Sequence, residues 1–190
     1  GDGYEKMPST FDPTNGTVAR AVAACPVCGS TVDANTTRRL FQEGKAGERM
    51  VAVVLHKPGR AGKRYRVATE ADMKIFREAA ENLKEKREKL MLQWGMDPIP
   101  DEPITRVPVT FGVINVWVYG MNTWGDLFNA RQKLALITFT EKVRQAHEEI
   151  LKAGYEGEYT KAVMCYLALT LDKLIMFSSS NCTWKVDTTQ

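Results

Sequence analysis

The sequence predicts an α+β fold, with a β-rich N-terminal region and a helical C-terminal portion. Runs of β-branched residues separated by turn residues predict short strands and a hairpin in the first third of the chain. Apolar residues then recur at helical spacing in three later segments. The composition, 44% hydrophobic and 26% charged over 190 residues, is typical of chains that bury a core. We therefore expect one or two globular domains.

The N-terminal part contains most of the strand signals. Residues 1–16 are rich in Gly, Pro, Asp and Asn and predict an extended lead-in. We expect a strand in TVARAVAACP, which runs into Cys25, and a helical turn or two in TTRRLFQEGK, ending at Gly44. A β-hairpin with a basic loop is predicted over residues 49–67 from RMVAVVLHK, KPGRAGK and RYRV. With the helix that follows, these elements form a predicted domain over residues 17–96.

One long helix and a connector come next. Thr69 and Asp72 have the spacing of a capping box, and apolar residues then repeat at helical intervals, so we predict an amphipathic helix over residues 70–94. Four prolines follow within a short stretch and break any helix. They predict a semi-rigid connector over residues 97–108.

Residues 109–190 form the predicted C-terminal portion. Its first segment, VTFGVINVWVYG, predicts one or two strands or a buried extended segment. Asn129 and Gln132 form a second capping-box pattern and open a helix that ends at Gly154. A further helix over residues 159–177 is apolar nearly all round, which predicts that it is buried on most sides.

A CPVCGS turn places Cys25 and Cys28 at the spacing of a metal knuckle. Two thiolates from one turn can reach a single Zn²⁺, but a structural zinc site needs four ligands. Three alternatives stay open: a half-site completed by sequence outside this chain or by another chain, a redox or incidental pair, and completion by Cys165, Cys182 or a histidine.

Positive charge is concentrated in the N-terminal half. Nine basic and only two acidic residues lie between Arg38 and Arg66, whereas the whole chain has a net charge of +3. Such asymmetry favours an anionic partner. A basic hairpin suits contacts to nucleic-acid phosphates, although Lys and Arg also protect an exposed hairpin from edge pairing. The candidate nucleic-acid residues are Arg38, Arg39, Lys57, Arg60, Lys63, Arg64 and Arg66.

The stretch GMNTWGDLFNARQ combines Gly, aromatic and charged residues in a short span. Asn122, Trp124, Asp126 and Arg131 are candidates for a structural corner or a ligand-binding corner. Elsewhere the sequence contains no GxGxxG, GxxxxGKS or HExxH pattern and no nucleophile signature. It also contains no apolar stretch of membrane-spanning length, so we expect a cytoplasmic location and no membrane partner.

Four segments in order carry a family resemblance: CPVCGS, then RMVAVV with RYRVATEAD, then YGMNTWGDLFNARQKLAL, and finally SSSNCTW. Together they resemble the zinc-ribbon-containing adenine-specific DNA methylases, from about Thr17 to Trp184. In that family an S-adenosylmethionine motif lies upstream of this region and an Asp-Pro-Pro-Tyr catalytic motif lies downstream. Neither motif occurs in this chain.

The resemblance implies an internal section of a methyltransferase that has no activity by itself. It also implies that Cys25 and Cys28 are the second half of a zinc ribbon, so the β-rich region would be zinc-ribbon-like and S-adenosylmethionine would bind only the parent protein. We expect a DNA-engaging accessory section that packs against the remainder of the parent. The alternative is a purely structural or oligomerisation section, for example a homodimer contact, with no direct DNA contact.

Overall fold

The chain folds into a mixed α and β structure in a computed structural model. The residues that the structure describes are 16–20, 22–48, 50–55, 63–106, 115–155, 157–180 and 182. They contain four α-helices and two small antiparallel sheets, so the predicted α+β class is confirmed at this level. None of the described helices combines the length and apolar character needed to cross a membrane. The chain forms two compact units, each made of two chain segments: Gly1–Ala68 with Ile104–Asn122, and Thr69–Pro103 with Thr123–Gln190.

The first unit contains all the described strands and one α-helix. Its elements are β1 (Val18–Ala19), β2 (Val22–Ala24), β3 (Thr31–Val32), α1 (Ala34–Gln42), β4 (Ala52–Leu55), β5 (Arg64–Val67) and a 3₁₀ helix (Val116–Tyr119). β1, β2 and β3 form one antiparallel sheet, and β4 and β5 form a separate two-stranded ribbon. The single strand predicted to run into Cys25 is instead two short strands, which turn at Arg20 with a φ of 51°.

Helix α1 and the 3₁₀ helix pack together in this unit. Asp33 caps α1 by accepting hydrogen bonds from two backbone amides of its first turn. The rings of Phe41 and Tyr119 meet edge to face with centroids 5.5 Å apart. The strand prediction is wrong for Val116–Tyr119, because this segment winds into a 3₁₀ turn that buries Val116 and ends at Gly120 in the left-handed region.

The second unit is mainly helical. Its elements are α2 (Glu70–Trp94), a 3₁₀ helix (Trp124–Leu127), α3 (Ala130–Lys152) and α4 (Glu158–Ser178). Both predicted capping boxes are confirmed, at Thr69 with Asp72 and at Asn129 with Gln132, where side chain and backbone bond reciprocally. Gly95 ends α2 in the left-handed region, as expected of a helix C-cap.

An ion pair lies in the contact between α2 and α3, which pack against each other. Lys86 Nζ is 2.6 Å from Glu141 Oε2, and the Glu141 side chain is only 9% exposed. The Lys86 ammonium therefore holds the pKa of the Glu141 carboxyl below its usual value of 4.5. Nearby, the Arg144 guanidinium lies 4.3 Å from the centre of the Trp94 ring, a second polar contact between the same helices.

The burial predicted for α4 is wrong. Only Thr160 is fully buried on this helix, where its hydroxyl donates to the Tyr155 carbonyl at 2.7 Å. Large apolar side chains of α4 are instead exposed, among them Tyr166 at 74% and Leu169 at 64%. The apolar residues surround the whole helix, but α3 covers only one side of it.

We predict that Glu141→Gln lowers the free energy of unfolding at neutral pH by about 1 to 3 kcal/mol, because it leaves the Lys86 ammonium without its carboxylate. The Lys86 side chain is 22% exposed and can turn partly to water, which limits the loss. The pKa of Glu141 is lower in the folded chain than in the unfolded chain. The pair's stabilisation is therefore complete above the unfolded pKa and is lost as pH falls through the folded pKa.

Urea unfolding followed by circular dichroism over a pH series measures both effects. In the variant, stability should depend less on pH below 4.5 than in the wild type. The control is Lys86→Met with Glu141→Leu, which removes both charges and should stay within about 1 kcal/mol of the wild type. If Glu141→Gln is as stable as the wild type at neutral pH, the ion pair contributes nothing to the free energy of unfolding.

Candidate nucleic-acid and metal-binding residues

The CPVCGS turn joins β2 to β3 and places both cysteines in one tight loop. The Cys25 amide donates to the Ser30 carbonyl at 2.8 Å, and the Gly29 amide donates to the Cys25 carbonyl at 2.9 Å. Gly29 has a φ of 72°, where a residue with a side chain would be strained. The loop thus presents two sulfur atoms from one turn, as a metal knuckle requires.

The Cys28 thiol is exposed and acidified by its neighbours. Its Sγ lies 3.3 Å from Ser30 Oγ. Hydrogen bonding with the Ser30 side chain, then with the Ser30 backbone and then with the Cys25 side chain lowers the pKa of Cys28 below its ordinary value. The thiolate is the form that binds metals, so these contacts favour metal binding.

The two cysteines would provide two of the four ligands of a tetrahedral zinc site. Within the described part of the chain, no group of three or more His, Cys, Asp or Glu side chains could hold a metal ion. Cys165 lies on α4 in the second unit. Cys182 belongs to the same unit, and its Sγ lies 3.0 Å from the Met176 carbonyl oxygen. The chemistry of the pair fits Zn²⁺, and among the described residues the pair gains no further ligand.

Two of the predicted nucleic-acid residues, Arg64 and Arg66, lie on β5 of the β4–β5 ribbon. Arg64 pairs with Leu55 and Arg66 pairs with Val53 in the antiparallel register. Because side chains alternate along a strand, both arginines lie on one face of the ribbon and Tyr65 on the other. Arg64 is exposed, Arg66 is half-buried, and Lys63 directly precedes the strand. Lys57 and Arg60, predicted on the loop of this hairpin, lie outside the described residues.

The two arginines of α1 are in different surroundings. Arg39 is exposed and makes a 3.1 Å ion pair with Glu43, which also pairs with Lys45 at 2.8 Å. Lys45 and then Arg39 lower the pKa of the Glu43 carboxyl below its usual value. Arg38 is half-buried, and its Nε is enclosed with no hydrogen-bond partner in the structure. The positive potential at α1 is therefore partly offset by Glu43.

Asn122, in the first unit, is part of a polar pocket. Its Oδ1 accepts a hydrogen bond from Arg106 at 2.8 Å, and its Nδ2 donates to the Gly120 carbonyl at 3.1 Å. The pocket has a volume of about 320 Å³ and is lined by Gln42, Arg106, Trp117, Val118, Gly120 and Asn122. Sequence reasoning missed Arg106, Trp117 and Gln42, because no motif links these positions. The contact between α1 and the 3₁₀ helix brings Gln42 to Trp117, and the hydrogen bond to Asn122 adds Arg106.

The other predicted corner residues belong to the second unit. Trp124 is partly exposed, and its amide donates to the Glu102 carbonyl at 3.1 Å. Asp126 accepts from the Thr123 amide at 2.9 Å in a third capping box. Arg131 is exposed in the first turn of α3. These contacts fix the backbone that leads into α3.

Gly125 is fixed by close packing in this second-unit corner. Its amide donates to the Pro100 carbonyl at 3.0 Å. A Cβ at this position would lie 2.7 Å from the same carbonyl oxygen and 2.8 Å from Ile99 Cγ2. The corner therefore requires a residue without a side chain.

No family model matches the chain, and neither a curated protein nor a solved structure matches it.

We predict that Gly125→Ala destabilises the second unit by about 1 to 3 kcal/mol, because the added methyl group collides with backbone at Pro100. Gly47→Ala is the matched control, since nothing lies within 4 Å of a Cβ at Gly47. Urea unfolding of the two variants measures the difference. Equal free energies of unfolding in the two variants would mean that the corner accommodates the methyl group without loss of stability.

We also predict that the chain binds Co²⁺, as a spectroscopic substitute for Zn²⁺, through Cys25 and Cys28. Titration should produce thiolate-to-cobalt charge-transfer absorption, which Cys25→Ser and Cys28→Ser should each reduce strongly because each removes one of two sulfur ligands. Cys165→Ser, on α4, is the control and should leave the absorption unchanged. Absorption that survives Cys28→Ser would contradict this assignment.

Proposed function

We propose that this chain is a DNA-engaging accessory section of an S-adenosylmethionine-dependent, adenine-specific DNA methyltransferase. The observation that carries the DNA contact is the β4–β5 ribbon, which presents Arg64 and Arg66 on the same face. The family assignment is supported by the four ordered sequence segments that resemble zinc-ribbon-containing adenine-specific DNA methylases.

A two-stranded antiparallel ribbon has suitable dimensions for duplex DNA, because the major groove of B-DNA admits either a helix or such a ribbon. Arginines on one face can then contact phosphates or guanine edges. Lys63, next to the strand, adds a further cation on the same segment. The ribbon and its basic residues thus support duplex DNA as the partner.

An adenine methyltransferase needs DNA contacts outside its catalytic pocket. The target base must leave the helix to be modified, and the distorted duplex must be held while it does so. In this proposal the ribbon holds the backbone and the cysteine knuckle, once completed, braces the same unit. The cofactor and the catalytic groups would come from the remainder of the parent protein.

A second candidate function is a structural or oligomerisation section with no DNA contact. It is favoured by α4, whose large apolar side chains are exposed along much of its length. An exposed apolar patch of this extent is typical of a protein interface. The two candidates differ in what they require of the ribbon arginines, since only the first needs their charge.

We predict that Arg64→Glu with Arg66→Glu weakens binding of the chain to short duplex DNA by about tenfold, because two cations near the phosphates become anions. The dependence of log affinity on log salt concentration should also become shallower by about 1 to 2, since fewer counterions are released. Fluorescence anisotropy with a labelled duplex over a salt series measures both quantities.

The matched control reverses two exposed cations of α2, Lys74→Glu with Arg77→Glu, which have ion-pair partners of their own. It changes the net charge equally but leaves the ribbon intact. Circular dichroism checks that both variants keep their secondary structure. Equal losses in the two variants would show a nonspecific charge effect, and unchanged binding in the ribbon variant would favour the structural function.

A further inference from the structure

A long apolar groove runs between α3 and α4 of the second unit. It has a volume of about 750 Å³, and all the side chains that line it belong to these two helices. α2 therefore forms none of its walls. The apolar side chains that line it include Phe139, Val143, Tyr166, Leu169, Leu174 and Phe177.

The groove continues into exposed side chains on α4. Tyr166 is 74%, Leu169 is 64% and Phe177 is 59% exposed, and Phe139 of α3 is 51% exposed. With Leu174 and Met176, these residues form what we call the apolar face. At the exposed fractions that they have, their combined accessible surface is on the order of 600 Å².

This area is close to what one partner contributes to a stable dimer. A standard interface buries roughly 800 Å² on each side, about two-thirds of it apolar in homodimers. The apolar face alone therefore offers the apolar share of one side. A small polar ligand or a nucleotide would find few hydrogen-bond partners in a groove with this lining.

The charges on these helices suit a second copy of the same surface. Lys142 and Lys173 line the groove, one on each helix. Asp172 and Glu158 are exposed on α4, where Glu158 pairs with Lys161 of the same helix at 2.8 Å. A two-fold interface joins a patch to its own copy, so the patch must carry both members of every complementary pair. Here α4 provides apolar side chains and the Asp172 carboxylate, and the groove provides an apolar floor with the Lys142 and Lys173 ammonium groups at its sides.

We propose that a second copy of this chain covers the apolar face, so that two α3–α4 hairpins pack across a two-fold axis as a four-helix bundle. Antiparallel helix pairs that each have one uncovered apolar side commonly complete a core in this way. The helices are long enough, since 23 residues of α3 and 21 of α4 correspond to about 30 to 35 Å of continuous contact. The proposal goes beyond DNA engagement and does not depend on it.

Sedimentation velocity of the 190-residue chain over roughly two orders of magnitude in concentration tests the proposal. We expect a monomer–dimer equilibrium with dimer dominant at the upper end. Leu169→Lys places a charge at the centre of the apolar face, close to Lys173 in sequence and on the same groove, and should raise the dimer dissociation constant at least tenfold. Because Leu169 is largely exposed, this variant should keep the helical circular dichroism of the wild type.

The matched control is Ile75→Lys, a change of the same kind at a position of α2 that is 60% exposed and does not line the groove. It should leave dimerisation unchanged. A chain that stays monomeric throughout, or a dimer that is insensitive to Leu169→Lys, overturns the proposal. So does an equal loss in the control. A monomer that binds a hydrophobic dye, with the binding lost in Leu169→Lys, would show an apolar face that no second copy covers, which also overturns self-association.

Arg64→Glu with Arg66→Glu should sediment as the wild type does. Loss of DNA binding with an intact dimer would contradict the proposed function and leave the dimer standing. DNA binding by a chain that is monomeric would contradict the dimer and leave the proposed function standing. The two sets of results therefore separate failure of the proposed function from failure of the dimer.

Discussion

The packing of α2 on α3 is the contact on which the second unit depends. Leu90 of α2 and Ile137 of α3 are among its most deeply buried apolar residues, and Lys86 pairs with Glu141 in the same contact between helices. Burial of apolar area supplies most of the stability of such a contact. The ion pair adds specificity of register, because a shift of one helix along the other would leave a buried carboxylate without its partner.

Helix α3 occupies the centre of this unit, since both α2 and α4 pack against it. Its own start is fixed by the Asn129 capping box and by the corner in which Gly125 approaches Pro100. A change in the backbone path at that corner would displace the start of α3. The surfaces of α3 that contact α2 and α4 would move with it. This dependence gives a physical reason for the concentration of Gly, Asn and Asp in one short stretch of sequence.

Local signals predicted the helices well, and tertiary effects limited the rest. The Thr69 capping box and the apolar repeat were sufficient for α2, because start signals and periodicity are contained in the helix itself. The segment Val116–Tyr119 has the composition of a strand but forms a 3₁₀ helix packed on α1, a contact that no local pattern encodes. The prediction that α4 is buried failed for a related reason. Hydropathy indicates that an apolar surface tends to be covered, but it does not indicate which part of the protein covers it.

The candidate site was predictable in part. The spacing of Cys25 and Cys28 is enough to predict a knuckle, and the alternation in RYRV is enough to place two arginines on one face of a strand. The pocket that includes Arg106 and Trp117 had no such signal, because its residues come from chain segments far apart in sequence.

The hydrogen bonds that lower the pKa of Cys28 have a consequence for the redox behaviour of the knuckle. An exposed thiolate is the nucleophile that attacks peroxides and disulfides, so contacts that favour metal binding also favour oxidation. Cys25 lies in the same turn and would act as the resolving thiol, which forms a disulfide with oxidised Cys28. A metal ion and an oxidant would therefore compete for the same two sulfur atoms, and a bound metal would protect the knuckle from forming a disulfide.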